Sequence, residues 1–206
     1  MHPGDPCGDA ACCLVWPPSG GAQGGAQGGA QGGVQQCLLA IVDGLGHGAE
    51  AALAADAALQ TLTDAWAAAG SSRPSLAQLL VQVDARLLGL RGAAVGLVRV
   101  VPGGLEHAGV GNTRAMRLRD GQLVRLSSQN GIVGGGMPPS LQLSRLDLQP
   151  GDWLLLFSDG LNEMLRLPVL LPEWQRDPAT LCAHLLRQWR VGHDDASVLV
   201  LRVAGG

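Results

Sequence analysis

Two stretches of this 206-residue chain end in the same words. CLLAIVDGLGHG runs from Cys37 to Gly48, and WLLLFSDGLNE runs from Trp153 to Glu163. Each is a short apolar run of the kind that forms a strand buried on both faces. Each stops at Asp-Gly-Leu, where glycine permits a sharp exit. Asp43 and Asp159 are therefore expected where a dry strand meets a loop. Two carboxylates delivered in the same way suggest one shared site, and a shared carboxylate site calls for a cation.

Strand direction brings further acids to the same place. CGDAACCLVW (Cys7–Trp16) precedes the first run, and four tetrads, GGAQ three times and GGVQ, separate the two. Gly-rich, uncharged sequence cannot bury a core, so a flexible loop is expected at about 17–36 in a hairpin of two strands. In an antiparallel hairpin the start of one strand lies beside the end of the other, which sets Asp9 next to Asp43. Near the other end, Gly192-His193-Asp194-Asp195 precedes the apolar stretch Ser197–Val203. If that strand pairs antiparallel with Trp153–Ser158, the Asp-Asp pair falls beside Asp159.

The rest of the chain reads as helices and short strands. Leu59, Leu62 and Trp66 form a stripe in an Ala-rich helix from about Ala49 to Ala69. Leu76, Leu79, Leu80, Val83 and Leu87 form a second stripe, with Ser75 as its cap. AAVGLVRVV, LEHAGVG, TRAMRL and QLVRL follow from Ala93 as strands, and Ser127–Ser140 reads as an irregular loop. A helix is expected near Pro178–Trp189. Trp66, Trp153 and Trp189 are expected in the core, and Trp174 at the surface. Strand runs with segregated helices suggest a layered α/β fold with mostly antiparallel sheets. The length suits one domain over residues 1–206.

Composition removes several functions. Net charge is -3 and no basic run exists, so nucleic acid is a poor partner. No apolar stretch suits a membrane span, and MHPGDPCGD does not read as a signal peptide, so a cytoplasmic protein is expected. Five cysteines without a CxxC pair are expected to be reduced, mostly buried thiols, and zinc is disfavoured. The chain has no Lys and no Tyr, which removes the Walker-A loop, Schiff-base chemistry and Tyr acids.

Crowded carboxylates raise one another's pKa, and a divalent ion removes that penalty. Oxygen ligands favour Mg or Mn over Zn. Two such ions bridged by one Asp can hold a hydroxide for in-line attack on phosphorus, with no protein nucleophile. A single Asp-Gly is more commonly a turn than a ligand, but the convergence of four positions, costly without an ion, leaves a metal site and a set of turns as equal alternatives.

The order CGD, VDGLGHG, RGAAVGLV, GVGNTRAMRL, GDWLLLFSDGLNE and HDDASVLVLRV resembles the PPM (PP2C-like) protein phosphatases, in particular their SpoIIE-like branch and its small RsbX-type members. The resemblance covers nearly the whole chain. It implies an α+β fold, a four-layer α-β-β-α sandwich flanked by helix pairs, with two Mn or Mg ions at one end. By motif match, Asp43 bridges both ions, the Gly44 carbonyl ligates one, and Asp159 and Asp194 hold the other. Asp9 supports the site directly or through water, and Asp195 stands behind the ligands. The implied activity is removal of phosphate from Ser or Thr of a STAS-domain or anti-sigma pathway regulator, as part of a stress response. A non-catalytic interaction module on the same fold is the alternative, and a hydrolase of small phosphate esters is a third reading.

Other residues have two readings each. His47 is a candidate proton donor or simply opens the helix after Asp43. His193 is a candidate to orient Asp194 or a turn residue. Arg91 and Arg114 are candidates for substrate contact or solvated surface cations. Ser158 lacks the hydrolase-elbow context and is not expected to be a nucleophile.

Overall fold

The computed structural model describes residues 6–16, 36–69, 73–165, 177–192 and 194–204. The GGAQ repeat, Trp174 and His193 lie outside the described residues. In chain order the elements are β1 (Asp9–Val15), β2 (Cys37–Gly44), α1 (Ala49–Ala68), α2 (Leu76–Leu87), β3 (Ala93–Val101), β4 (Gly104–Val110), β5 (Arg114–Arg119), β6 (Gln122–Ser127), β7 (Ser144–Asp147), β8 (Trp153–Phe157), α3 (Pro178–Trp189) and β9 (Val198–Arg202). They build a five-stranded sheet, β1-β2-β3-β4-β7, and a four-stranded sheet, β6-β5-β8-β9. Every pair of neighbouring strands is antiparallel.

The two apolar runs explain the layering. Successive side chains of a strand point to opposite faces. In β2, Leu38, Ala40 and Val42 pack under α1 and α2, while Leu39 and Ile41 face the other sheet. In β8, Leu154 and Leu156 face that same inter-sheet layer, while Trp153, Leu155 and Phe157 pack under α3. A strand with an apolar layer on each side must be apolar throughout. Three apolar layers thus separate four structural ones, the α-β-β-α sandwich. Where the resemblance implies a helix pair on each face, α3 alone covers the second sheet among the described residues.

The helices follow their patterns. Leu62 and Trp66 of α1 are buried, and Leu59 packs half-buried against the same core. Ala51, Ala54, Ala55 and Ala58 also face inward, and their small side chains let α1 sit close to the sheet. Ser75 caps α2 through a reciprocal pair, accepting from Gln78 N at 3.2 Å while Ser75 N donates to Gln78 Oε1 at 2.8 Å.

Two expectations change. β7 was not foreseen, because SRLD is four residues long and carries one large apolar side chain. The cysteines are free, but only Cys37 is buried; Cys12 and Cys182 are half-buried, and Cys7 and Cys13 are exposed. For Cys13 the reason is that β1 is an edge strand, so residues facing the inter-sheet side from it reach solvent; Cys7 precedes β1 and Cys182 lies on α3. No described helix is long and apolar enough to cross a membrane.

Candidate active site

The register brings the predicted carboxylates to one end of the sandwich. Asp9 pairs with Asp43 across β1 and β2. Phe157 pairs with Val198 across β8 and β9, and Ser158 N donates to Ser197 O at 3.1 Å. The loop holding Asp194 and Asp195 therefore lies beside Asp159. A hydrogen-bond chain joins the two sheets there. Ser158 Oγ donates to Asp9 Oδ2 at 2.5 Å and accepts from Ser197 N at 3.0 Å. The buried Asp195 carboxylate accepts from Gly8 N at 2.6 Å, and Gly44 N donates to Gly8 O at 2.9 Å.

The two Asp-Gly pairs share a physical cause, though not the one the sequence suggests. Neither Gly44 nor Gly160 has a positive φ. Both are needed for close backbone approach. A Cβ on Gly44 would lie 2.2 Å from Ala51 O of α1, and one on Gly160 would lie 1.7 Å from Asp195 O. Each glycine presses its Asp-bearing strand end against another segment of the site.

The electrostatics are those of an anionic cluster. Burial pushes the Asp43 carboxyl up to about 8; the charges of Asp9, Asp159 and Asp194, and the hydrogen bond that protonated Asp43 donates to the Asp159 carboxylate, push the same way. Burial also pushes Asp9 up to about 6; the Ser158 hydrogen bond opposes this, and the charges of Asp195, Asp159 and Asp194 add to it. As they stand, no three His, Cys, Asp or Glu side chains among the described residues close on one ion. Three of the carboxylates are instead turned to neutral donors: Asp9 to Ser158, Asp159 to Asn112 Nδ2, and Asp194 Oδ1 to the Asp195 N–H at 3.0 Å. The donor set is all oxygen and its charge is uncompensated, which fits hard divalent cations.

Several supporting residues escaped the sequence reading. Asn112, in the turn between β4 and β5, holds Asp159. The Arg190 guanidinium grips the Asp194 carbonyl, with Nη2 at 2.8 Å and Nε at 3.1 Å. Ser158, fully buried, ties β1 to β8 and β9. Hydrogen-bonding types with no local motif gave no signal for these. His47 is exposed in the turn before α1, where Gly48 is the N-cap. Arg91 pairs with Glu50 at 2.6 Å, and Arg114 with Glu163 at 2.9 Å. Beside the cluster a groove of about 540 Å³ opens, with Leu45, Asn112, Arg114 and Arg125 in its lining.

The chain has relatives of known structure. Residues 33–204 match the family model of Stage II sporulation protein E (SpoIIE). No curated protein sequence matches the chain. A chain from a structure of the bacterial stressosome, described as a modular system adapted to control secondary messenger signaling, is 30% identical with a TM-score of 0.77, over 97% of this chain and 93% of that one. RsbX in complex with magnesium is 16% identical with a TM-score of 0.65, over 96% of this chain and 87% of that one. The PP2C phosphatase domain of SpoIIE from Bacillus subtilis, solved with a fragment of its regulatory domain, is 18% identical with a TM-score of 0.66, over 96% of this chain and 58% of that one. With the sandwich and the order of the motifs, the match over most of its length means that the chain belongs to the SpoIIE family of PP2C-like, PPM-type protein phosphatases.

Proposed function

We propose that this protein hydrolyses phosphoserine or phosphothreonine on a bacterial regulatory protein, a STAS-domain or anti-sigma pathway component, with two Mn or Mg ions. PP2C-type phosphatases use Mn or Mg, and similar structures include a stressosome chain and RsbX with magnesium. The observation that carries the reading is the convergence of Asp9, Asp43, Asp159 and Asp194, with Asp43 pushed up to about 8 by burial and by its neighbours' charges. Asp43 would bridge the ions, the Gly44 carbonyl would ligate one, Asp159 and Asp194 would hold the other, and Asp9 would support the set. When bound, such ions supply Lewis-acid charge beside the phosphoryl oxygens and acidify water.

The chain's own groups prepare the site. Ser158 fixes the Asp9 carboxylate, Asn112 fixes that of Asp159, and Arg190 fixes the Asp194 main chain. Asp195 anchors Gly8 and so holds the start of β1 against the loop. Asp43 must shed the proton that its surroundings favour before it can take a cation. The test is hydrolysis of an aryl phosphate and of a phosphorylated STAS protein by Mn-saturated protein, with calorimetry counting the ions. Both substrates should turn over, and Asp43→Ala should abolish both activities. Absence of any hydrolysis, or full activity in Asp43→Ala, defeats the proposal. Partner binding without Mn binding would support the non-catalytic alternative.

A further inference from the structure

The groove beside the carboxylate cluster carries positive charge that the molecule does not neutralise. Its lining includes Arg114 and Arg125 and neither Asp nor Glu, on a chain of net charge -3. Arg125 is exposed on the edge strand β6 and forms no ion pair among the described residues. Register places the two cations together. Arg114 pairs with Ser127 and Met116 with Arg125, so Arg114 and Arg125 are diagonal neighbours on one face of the sheet, roughly 7–8 Å apart. Glu163 answers only the first of them.

The groove is also continuous with the site. Asn112 lines it and holds Asp159. Leu45, the residue after Gly44, lines it too, and with Ile132 it adds exposed apolar surface, at 41% and 36%. A volume of about 540 Å³ exceeds what a phosphate group fills and suits a few peptide residues.

Resting on the phosphatase reading above, we infer that this groove seats the substrate chain flanking the phosphoresidue and selects acidic side chains through Arg125. With the phosphoryl group at the carboxylates, the flanking residues run past Asn112 toward β6. An acidic side chain there answers the second of two adjacent cations, and an apolar one rests on Leu45 and Ile132. A basic side chain would add a third positive charge to the pair. The preference is set by charge, so it is to weaken with salt.

The test uses the Mn-loaded protein and two phosphoserine peptides that differ only in carrying Glu or Lys on both sides of the phosphoresidue. The Glu peptide is expected to have a kcat/KM about three- to tenfold higher, carried mostly in KM. Arg125→Glu should reverse the ratio, and Arg125→Ala should bring it toward one. A wild-type ratio near one, or a ratio that Arg125→Glu leaves unmoved, overturns the inference. Failure of the phosphatase reading is distinguished by aryl phosphate, which requires no flanking chain. If that too is not hydrolysed, labelled unphosphorylated versions of the peptides still report on the groove by fluorescence anisotropy. There a Glu preference lost in Arg125→Glu supports the groove assignment, and equal binding of the two peptides to wild type refutes it.

Discussion

Ser158 Oγ donates a 2.5 Å hydrogen bond to Asp9 Oδ2, and so joins the end of β8 in one sheet to the start of β1 in the other. The same hydroxyl accepts from Ser197 N at 3.0 Å. A serine that sequence context removes as a nucleophile is instead a strut between the halves of the site. Ser158→Ala leaves the Ser197 N–H and a half-buried carboxylate without this partner. It should cost about 1–3 kcal/mol of stability in urea denaturation and weaken Mn binding in a titration. Unchanged values of both would show the strut to be dispensable.

Asn112 holds the Asp159 carboxylate from the turn between β4 and β5. Groups that orient a metal ligand affect affinity by about 10–100-fold. Asn112→Ala should therefore lower Mn affinity by about tenfold while leaving thermal stability of the metal-free protein nearly unchanged. Calorimetry and a melting curve check the two halves of this expectation, and an unaltered Mn affinity would mean that Asn112 does not position Asp159.

Gly44 and Gly160 can be told apart from ordinary turn glycines by substitution. Alanine at either would meet a backbone oxygen, at 2.2 Å for Gly44 and 1.7 Å for Gly160. Each should destabilise by about 3 kcal/mol or more, since backbone must move. Gly151→Ala is the control: it has φ 94 and open space around it, so only conformational strain of about 1–2 kcal/mol applies. Equal melting temperatures for all three variants would disprove the close-approach account.

The metal-free protein should show a pH dependence that traces to Asp43. Its carboxyl is pushed from 3.8 in the unfolded reference to about 8 in the fold. A raised folded-state value means that this contribution to stability is fully present below about 4 and is lost as pH rises through about 8. Asp43→Asn mimics the protonated form and escapes the loss. The two proteins should melt together near pH 4, and the variant should melt several degrees higher at pH 8. Saturating Mn should reverse the order at pH 8, because only the aspartate binds the ion. Parallel melting curves at every pH would contradict this.

The sequence revealed this site unevenly. Both apolar runs, the Asp9–Asp43 pairing and the approach of β9 to Asp159 follow from strand-length apolar stretches and antiparallel direction alone. β7 was hidden because four residues on a sheet edge carry too little periodicity. The exposure of Cys13 is not legible because edge position depends on the order of strands in the sheet, which spacing does not encode. Asn112, Ser158 and Arg190 act across 47, 149 and 4 residues of chain respectively. The first two lie far outside any local pattern, and the third acts on a carbonyl that every residue possesses.

The β1–β2 hairpin has its Asp9–Asp43 pair at one end and its Val15–Cys37 pair at the other. The two ends are roughly 20 Å apart at about 3.4 Å per residue. Trp16 N donates to Gln36 O at 2.9 Å and ties the far end shut. Whatever length of chain runs between those two residues, the spacing of the carboxylates is set on the near side of that tie. The position is thus a natural port: a reporter or affinity tag grafted between Trp16 and Gln36 would hang from the pole of the molecule opposite its chemistry.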